Sequence, residues 1–367
     1  MTQSLPIIDA DGHLIEPRGM WKKYIDEAYR EEAPLVVRQN ENIELFIVAG
    51  KPVSPYPVSS LGCAGMSDVR DWDDNHPGGG DPKERLKVMD AEGVDQVVLY
   101  PTLGLFIGGV QDAKLAAAIA RAYNDWVTDF CSEAPDRLFA AAMLPMQDMD
   151  LAAAEAKRVG ARKCFRAAFI RPNPYAGRSL NTRAYDVVWK ACVDNNWAVS
   201  IHEGVAGNMP TVGTDRFGDN LFYTHIIAHS LEMQLAVLAL IGGGVMERFP
   251  TLRFAFLEAG GGWIVPWLDR MDNHYEGIFG QFVPWMKEKP SFYFERQCYI
   301  SFDPGERTVA STAKLIGADR VIWGTDFPHP DTTYPGFIAE LKESLTEFDS
   351  ADQKKILSTN AATLYGL

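Results

Sequence analysis

Eight short apolar segments, separated mostly by amphipathic ones, predict a single (β/α)8 TIM-type barrel of the α/β class for this chain of 367 residues. Three observations carry that reading. The segments are rich in β-branched and aromatic residues and recur along nearly the whole length. Helical patterns fill most of the intervals between them. Several segments, "AVSI" and "FAFL" among them, are apolar without alternation, as strands of a parallel sheet buried on both faces are. Strand–helix alternation sustained over such a length belongs to one large barrel domain, residues 1–367, rather than to several small ones.

The first strand is "LPIID" (5–9) and the second "DQVVLYP" (95–101). The long interval between them is rich in Pro, Gly, Ser and Asp, as in "PVSPYPVSSLGCAGMSDVRDWDDNHPGGGDPKE". A loop that follows a barrel strand emerges at the mouth, so residues 21–85 are expected to form an insertion, or lid, over it. His76 lies in this stretch and is expected to be a solvated loop residue. Beyond it the rhythm is regular. "AKLAAAIARAYNDWVTDFCSEA" leads to "RLFAAAML" (137–144), "DLAAAEAKRVG" to "FRAAFIR" (165–171), and "TRAYDVVWKACVDNN" to "WAVSIH" (197–202). "EMQLAVLALIGGGVMERFP" leads to "LRFAFLE" (252–258). The last two strands are "QCYISFD" (297–303) and "DRVIWGTD" (319–326), with "ERTVASTAKLIG" between them.

A formal net charge of −14 argues against nucleic acid or an anionic membrane as a principal partner. The 5 cysteines are scattered, odd in number and without a CxxC pair, which argues against a thiolate zinc site and a disulfide framework. The amino terminus lacks a basic stretch followed by an apolar core, and no apolar run approaches the roughly 20 residues that span a bilayer. A cytoplasmic protein with no membrane partner is the expectation.

The carboxyl ends of all strands in a parallel barrel collect on one face, where active sites sit. The residues there are Asp11 and His13, Arg171, His202, Glu258, Asp303 and Asp326. Residues two apart on a strand face the same side, so Asp11 and His13 can share one target. The first segment alone also allows a polar strand end with His13 bonded to backbone. Taken with the other ends, Asp11, His13, His202 and Asp326 can converge on one divalent ion. Nitrogen and oxygen donors without thiolate suit zinc first, and manganese or iron as well.

The stretches "IDADGH", "IRPNPYAGRSLNTRAYDVVWKACVDNNWAVSIHEG", "GGGVMERFPTLRFAFLEAGGGW" and "IWGTDFPHP" carry a resemblance over nearly the whole chain. The chain resembles the amidohydrolase superfamily, in the branch that includes aminocarboxymuconate-semialdehyde decarboxylase. The resemblance implies that Asp11 takes the first position of the family's His-x-His motif and His13 the second. It implies that His202 is the strand-five metal ligand, and that Asp326 both binds metal and handles protons. Glu258 stands where the family often has a catalytic histidine. His229, in "HIIAHSLEM", can supply an imidazole in its place or serve in capping and packing, while its neighbour His225 reads as structural. Arg171 occupies the place of the carboxylated lysine of binuclear relatives, which implies one metal. It can hold a substrate carboxylate or pair with Glu203; Arg70 is a second candidate for the substrate. Trp263 can wall the substrate pocket, and His329 can orient Asp326 or close the turn. A homodimer is implied by the family.

The function expected is metal-dependent carbon–carbon bond cleavage, decarboxylase-like, on a small carboxylated phenol, enol or carbonyl acid. The alternative is a metal-dependent hydrolase that activates water, with Asp326 as base. The second alternative is a metal-free binding protein on a degraded barrel. Glu258 in place of histidine favours it; His13, His202 and Asp326 together oppose it.

Overall fold

Eight strands pair in parallel in one sheet, in the order β1 (Ile8–Leu14), β5 (Gln96–Pro101), β6 (Leu138–Met143), β7 (Phe165–Ile170), β8 (Ala198–Ile201), β9 (Phe254–Phe256), β10 (Cys298–Phe302) and β11 (Val321–Trp323). Helices lie between them, giving the predicted barrel. The structure is a computed structural model and describes residues 5–54, 56–205, 207–218 and 220–367. Every residue of β6, β8, β9, β10 and β11 is buried, as their unbroken apolar runs require. Helices start where aspartates cap them. Asp81, Asp112 and Asp148 each accept from two backbone N–H groups of the first turn.

The first strand differs from expectation. It continues through the motif to Leu14, so Asp11 and His13 belong to the strand itself. Its register against β5 shifts between Asp9 and Gly12, which places Ala10 and Asp11 opposite a single residue of β5. A bulge of this kind bends a strand and re-aims its side chains. At the other end of the sheet, β9 and β11 are only three residues long. Glu258 and Asp326 therefore lie beyond them, in loops.

No strand pairing joins β11 to β1 among the described residues. The seam is closed by the loop after β11. Asp326 N–H donates to Asp11 O at 2.8 Å, and His13 N–H donates to Phe327 O at 2.7 Å. Asp9 completes the closure, accepting from Thr325 N–H at 3.0 Å and from its hydroxyl at 2.7 Å. The motif residues thus hold the barrel shut as well as facing its mouth.

The interval after β1 is more regular than its composition suggests. It carries an antiparallel sheet of β2 (Leu35–Asn40), β3 (Ile43–Val48) and β4 (Lys51–Pro52). Alternate residues of β3 are buried, and Glu44 among them takes ion pairs from Arg18 and Arg38 at 3.0 and 3.1 Å. His76 is not a solvated loop residue. It is half-buried against Phe327 and Tyr334, and its Nδ1 accepts from Gly78 N–H. The expectation of no long apolar run also needs correction. The helical run Leu221–Gly242 is 22 residues long and, by length and composition alone, apolar enough to cross a bilayer. Here Met233, Val237 and Leu240 face the interior while Phe222, Ile226 and Leu238 are exposed.

Candidate metal centre and active site

His13 and His202 meet at the mouth with their Nε2 atoms 3.0 Å apart. Backbone carbonyls fix both tautomers. His13 Nδ1 stands 2.9 Å from Pro101 O, and His202 Nδ1 stands 2.6 Å from Glu203 O. A carbonyl only accepts, so in each neutral ring the proton sits on Nδ1 and Nε2 carries a bare lone pair. Two lone pairs facing each other at this distance repel unless a proton or a metal ion lies between them. Burial opposes positive charge there, yet Asp11 and Glu258 outweigh it and raise the His202 imidazole above its usual value. A backbone carbonyl on the far ring nitrogen is also the usual way to orient a metal-binding imidazole.

The carboxylates around the pair lead to the same conclusion. Asp11 Oδ1 lies 3.5 Å from both His13 Nε2 and His202 Nε2, and Asp326 Oδ1 lies 3.3 Å from His13 Nε2. Donors about 2.1 Å from a metal stand about 3.0 to 3.4 Å apart at octahedral or tetrahedral angles, so the spacings of Asp11, His13 and His202 are close to those of one ion's ligands, with Asp326 adjacent through His13. Asp11 Oδ1 and both carboxylate oxygens of Asp326 are buried and accept no hydrogen bond of sound geometry. Burial, with Glu258, Asp331 and Asp11 nearby, pushes the Asp326 carboxyl well above the usual range. So many acids in one buried site must be protonated or balanced by a cation. The four expected ligands fall in two overlapping clusters that share His13: Asp11–His13–His202, and His13–Glu258–Asp326–His329.

Glu258 joins the two clusters to a third imidazole. Its Oε2 lies 3.2 Å from His202 Nε2, and its Oε1 lies 3.3 Å from His229 Nε2. Burial alone would raise the Glu258 carboxyl, but the imidazoles of His229, His202 and His329 outweigh it and hold it well below its usual range. Burial likewise opposes a charge on His229, yet the Glu258 carboxylate raises it to about 9. His229 sits in a π-helical turn, Ala228–Glu232, a distortion frequent at functional sites. Glu258 and Asp326 are both held at positive φ, +46° and +57°. Non-glycine residues adopt that region only where surrounding structure imposes it.

Two cavities open beside the cluster and share Glu258 and Asp331. One, of about 350 Å³, is walled by Leu61, Leu105, Phe106 and Val205, with His229 and His329 among its lining. The other, of about 340 Å³, is lined by Asp303, Glu306, Asp326 and Asp331.

Comparison with known proteins fits this geometry. Residues 8–367 match the family described as Amidohydrolase. The chain belongs to the amidohydrolase family. Among its relatives is the 2-amino-3-carboxymuconate-6-semialdehyde decarboxylase of Dictyostelium discoideum, 26% identical over 288 residues, 78% of this chain and 77% of the relative. Another is the gamma-resorcylate decarboxylase of Rhizobium radiobacter, 26% identical over 298 residues, 77% of this chain and 86% of the relative. In fold the chain is like an amidohydrolase from Mycobacterium avium subsp. paratuberculosis, with a TM-score of 0.84 at 20% identity and all of both chains covered. It is also like the 5-carboxyvanillate decarboxylase of Novosphingobium aromaticivorans, solved with bound manganese and 3-methoxy-4-hydroxy-5-nitrobenzoic acid. There the TM-score is 0.74 at 19% identity, over 100% of this chain and 98% of that one.

The remaining residues that the sequence singled out divide in this amidohydrolase. His329 stands 2.6 Å from Asp326 Oδ1, bonds Thr102 Oγ1 through Nε2 at 2.9 Å, and stacks on His13. His225 stacks on His229, and its carbonyl accepts from His229 Nδ1. Arg171 is not placed to meet a substrate. It is fully buried, its guanidinium fixed by Glu203 at 2.7 and 3.3 Å and by Leu105 O at 2.7 Å. Trp263 lines neither cavity beside the cluster, and its indole N–H donates to Ala259 O, bracing the loop after Glu258. Arg70 is exposed at the surface.

Other residues matter that sequence reading passed over. Asp9 ties β1 to Thr325, Arg85 donates to the carbonyls of His13, Gly78 and Phe327, and Glu306 accepts from Gly261 and Gly262 N–H. Asp9 was open to notice, since it precedes Asp11 by two residues. Nothing local marks the other two.

Proposed function

We propose that this amidohydrolase is a metal-dependent non-oxidative decarboxylase of small hydroxyaryl or enol acids. The observation that carries the proposal is the pair of imidazoles whose Nε2 atoms face each other at 3.0 Å beside the buried carboxylates of Asp11 and Asp326. The decarboxylases among its relatives support the choice of reaction. Asp11, His13, His202 and Asp326 would hold the ion, zinc or manganese by donor type. It would supply a positive charge that fixes the substrate carboxylate and the neighbouring hydroxyl oxygen.

Asp326 lines the acidic cavity, His329 beside it lines the apolar one, and the two cavities share Glu258 and Asp331, which supports Asp326 as the acid for a ring bound in the apolar cavity. Asp326 delivers its proton to the ring carbon that bears the carboxylate. The carbon–carbon bond then breaks with its electron pair returning to the ring, carbon dioxide leaves, and Asp326 regains a proton from solvent. Glu258 and His229 act as a unit in the place of a single histidine and hold the substrate hydroxyl. The insertion after β1, the expected lid, supplies Ser54, Tyr56, Pro57 and Leu61 to the cavity wall and would cover the ring there. Phe222, Ile226, Leu238, Ile278, Phe279 and Phe282 are exposed, and Leu238 and Phe279 line one surface cavity, where a second copy would pack. A strictly monomeric sedimentation profile would remove that last element.

Elemental mass spectrometry on wild type and His202→Ala tests the centre. About one zinc or manganese per chain is expected, lost in the variant, together with carbon dioxide release from 2-hydroxybenzoic acids that chelation abolishes and metal restores. Metal-dependent amide or ester hydrolysis with no carbon dioxide release would overturn the proposal.

A further inference from the structure

The apolar cavity beside the metal cluster is lined by no lysine or arginine among the described residues. Its basic side chains are imidazoles, and two of them already face acids. His229 stands on Glu258 and His329 on Asp326. The nearest guanidinium, that of Arg171, lies behind the wall and is neutralised by Glu203. Asp331, in contrast, lines the cavity with an exposed side chain and pairs with no basic residue among those described. The rest of the wall is largely apolar, with Pro57, Leu61, Leu105, Phe106, Val205 and Leu221. Its other polar side chains already have partners, Glu203 in Arg171, Tyr56 in Thr224, Thr102 in His329 and Ser54 in the Tyr56 carbonyl.

We infer that the substrate carries one acidic group only, the carboxylate that is lost, and that its far side is an uncharged apolar ring. Aryl dicarboxylates are excluded. The inference rests on the decarboxylase reading and narrows it. Once the substrate's carboxylate and hydroxyl are directed to the cluster, the rest of the ring meets a wall of apolar carbon and already partnered polar groups, with Asp331 as a carboxylate that no basic side chain pairs among the described residues. A second carboxylate there would lose its hydration against apolar walls and gain a like charge in Asp331 in place of a counterion. A second anion needs an arginine fork or a lysine to recover that loss, and the wall offers neither.

Three ligands of graded charge test this on the metal-reconstituted enzyme by calorimetric binding: 2-hydroxybenzoate, 2-hydroxy-5-methylbenzoate and 4-hydroxyisophthalate, whose second carboxylate lies para to the hydroxyl and so on the far side of the ring. The methyl compound controls for bulk at the position of the second carboxylate. The two monoacids are expected to bind at least about tenfold tighter than the diacid, with the gap narrowing severalfold in Asp331→Asn. A diacid that binds within a factor of about three of the monoacids would overturn the inference and leave the decarboxylase reading standing. A gap that Asp331→Asn leaves unchanged would assign the discrimination to shape and overturn the charge argument. Failure of all three ligands to bind would overturn the decarboxylase reading and this inference with it.

Discussion

At the scale of single residues, the ligands were legible because their chemistry leaves few alternatives. A divalent ion without thiolates requires imidazole and carboxylate, and those types stand out at the ends of apolar strands. The residues that aim the ligands were not legible, since their partners lie far away in sequence. Asp9 and Thr325 are separated by 316 positions. Arg171 shows the converse error, because sequence cannot say which carboxylate a guanidinium faces, and here Glu203 takes it. Gly324 is a further hidden determinant. A Cβ there would lie 2.4 Å from Asp11 Cβ, an approach real atoms do not make, and neither atom is the end of a flexible chain. Gly324→Ala is therefore expected to push Asp11 off its position. Metal content and activity should fall at least tenfold while the far-ultraviolet dichroism of the barrel persists. Full metal occupancy in this variant would show that Asp11 is not a ligand.

At the scale of elements, the strands were legible from continuous apolar runs, and their ends less so. The run "FAFLE" reads as strand to its last residue, yet β9 stops at Phe256 and Glu258 turns to positive φ. The π-helical turn under His229 leaves no mark in composition, and the alternation of "IELFIV" is hidden inside a stretch rich in loop formers. The loop after Glu258 is held from another element. Glu306 Oε1 accepts from Gly261 and Gly262 N–H at 3.0 and 3.3 Å and from the Thr308 hydroxyl at 2.7 Å. Charge-assisted bonds of this type contribute on the order of 1.5–3 kcal/mol. Glu306 touches no ligand atom of the cluster, so it is a positioning residue. Glu306→Gln, which retains one acceptor, should lose kcat several-fold with KM nearly unchanged, and Glu306→Ala should lose more. Equal activity in all three proteins would show that Glu258 keeps its place without this brace.

At the scale of the whole molecule, the barrel is a sheet whose last seam is closed by site residues rather than by strand pairing, so stability and function share the same contacts. Buried acids elsewhere add a pH dependence. Glu16 is fully buried at the end of β1, where it accepts from Leu103 and Gly104 N–H at 3.0 and 2.9 Å and so ties the loop after β5 to the one after β1. Burial outweighs those donors and pushes its carboxyl up to about 7. Glu232, on the helical run beside the barrel, is raised to about 7 by burial as well. A carboxyl whose folded pKa exceeds its unfolded one binds protons more tightly when folded, so its stabilising contribution is complete below the unfolded value near 4.5. That contribution is lost as pH rises towards 7. Metal-free protein should accordingly lose stability between about pH 5 and pH 7, the direction opposite to one dominated by salt-bridged carboxylates. Glu16→Gln keeps an acceptor for one of the two backbone donors, at a cost that does not vary with pH, and removes the ionisation. It should flatten the slope, gaining relative to wild type as pH rises by an amount bounded at about 3 kcal/mol, the worth of the shift at 1.36 kcal/mol per unit. Urea titrations of the chelated proteins at pH 5, 6 and 7 read this directly. A wild-type midpoint that climbs with pH, or a variant that tracks wild type in parallel, would mean that Glu16 keeps its proton in neither state and that the seam between the two loops is held by an ionised carboxylate.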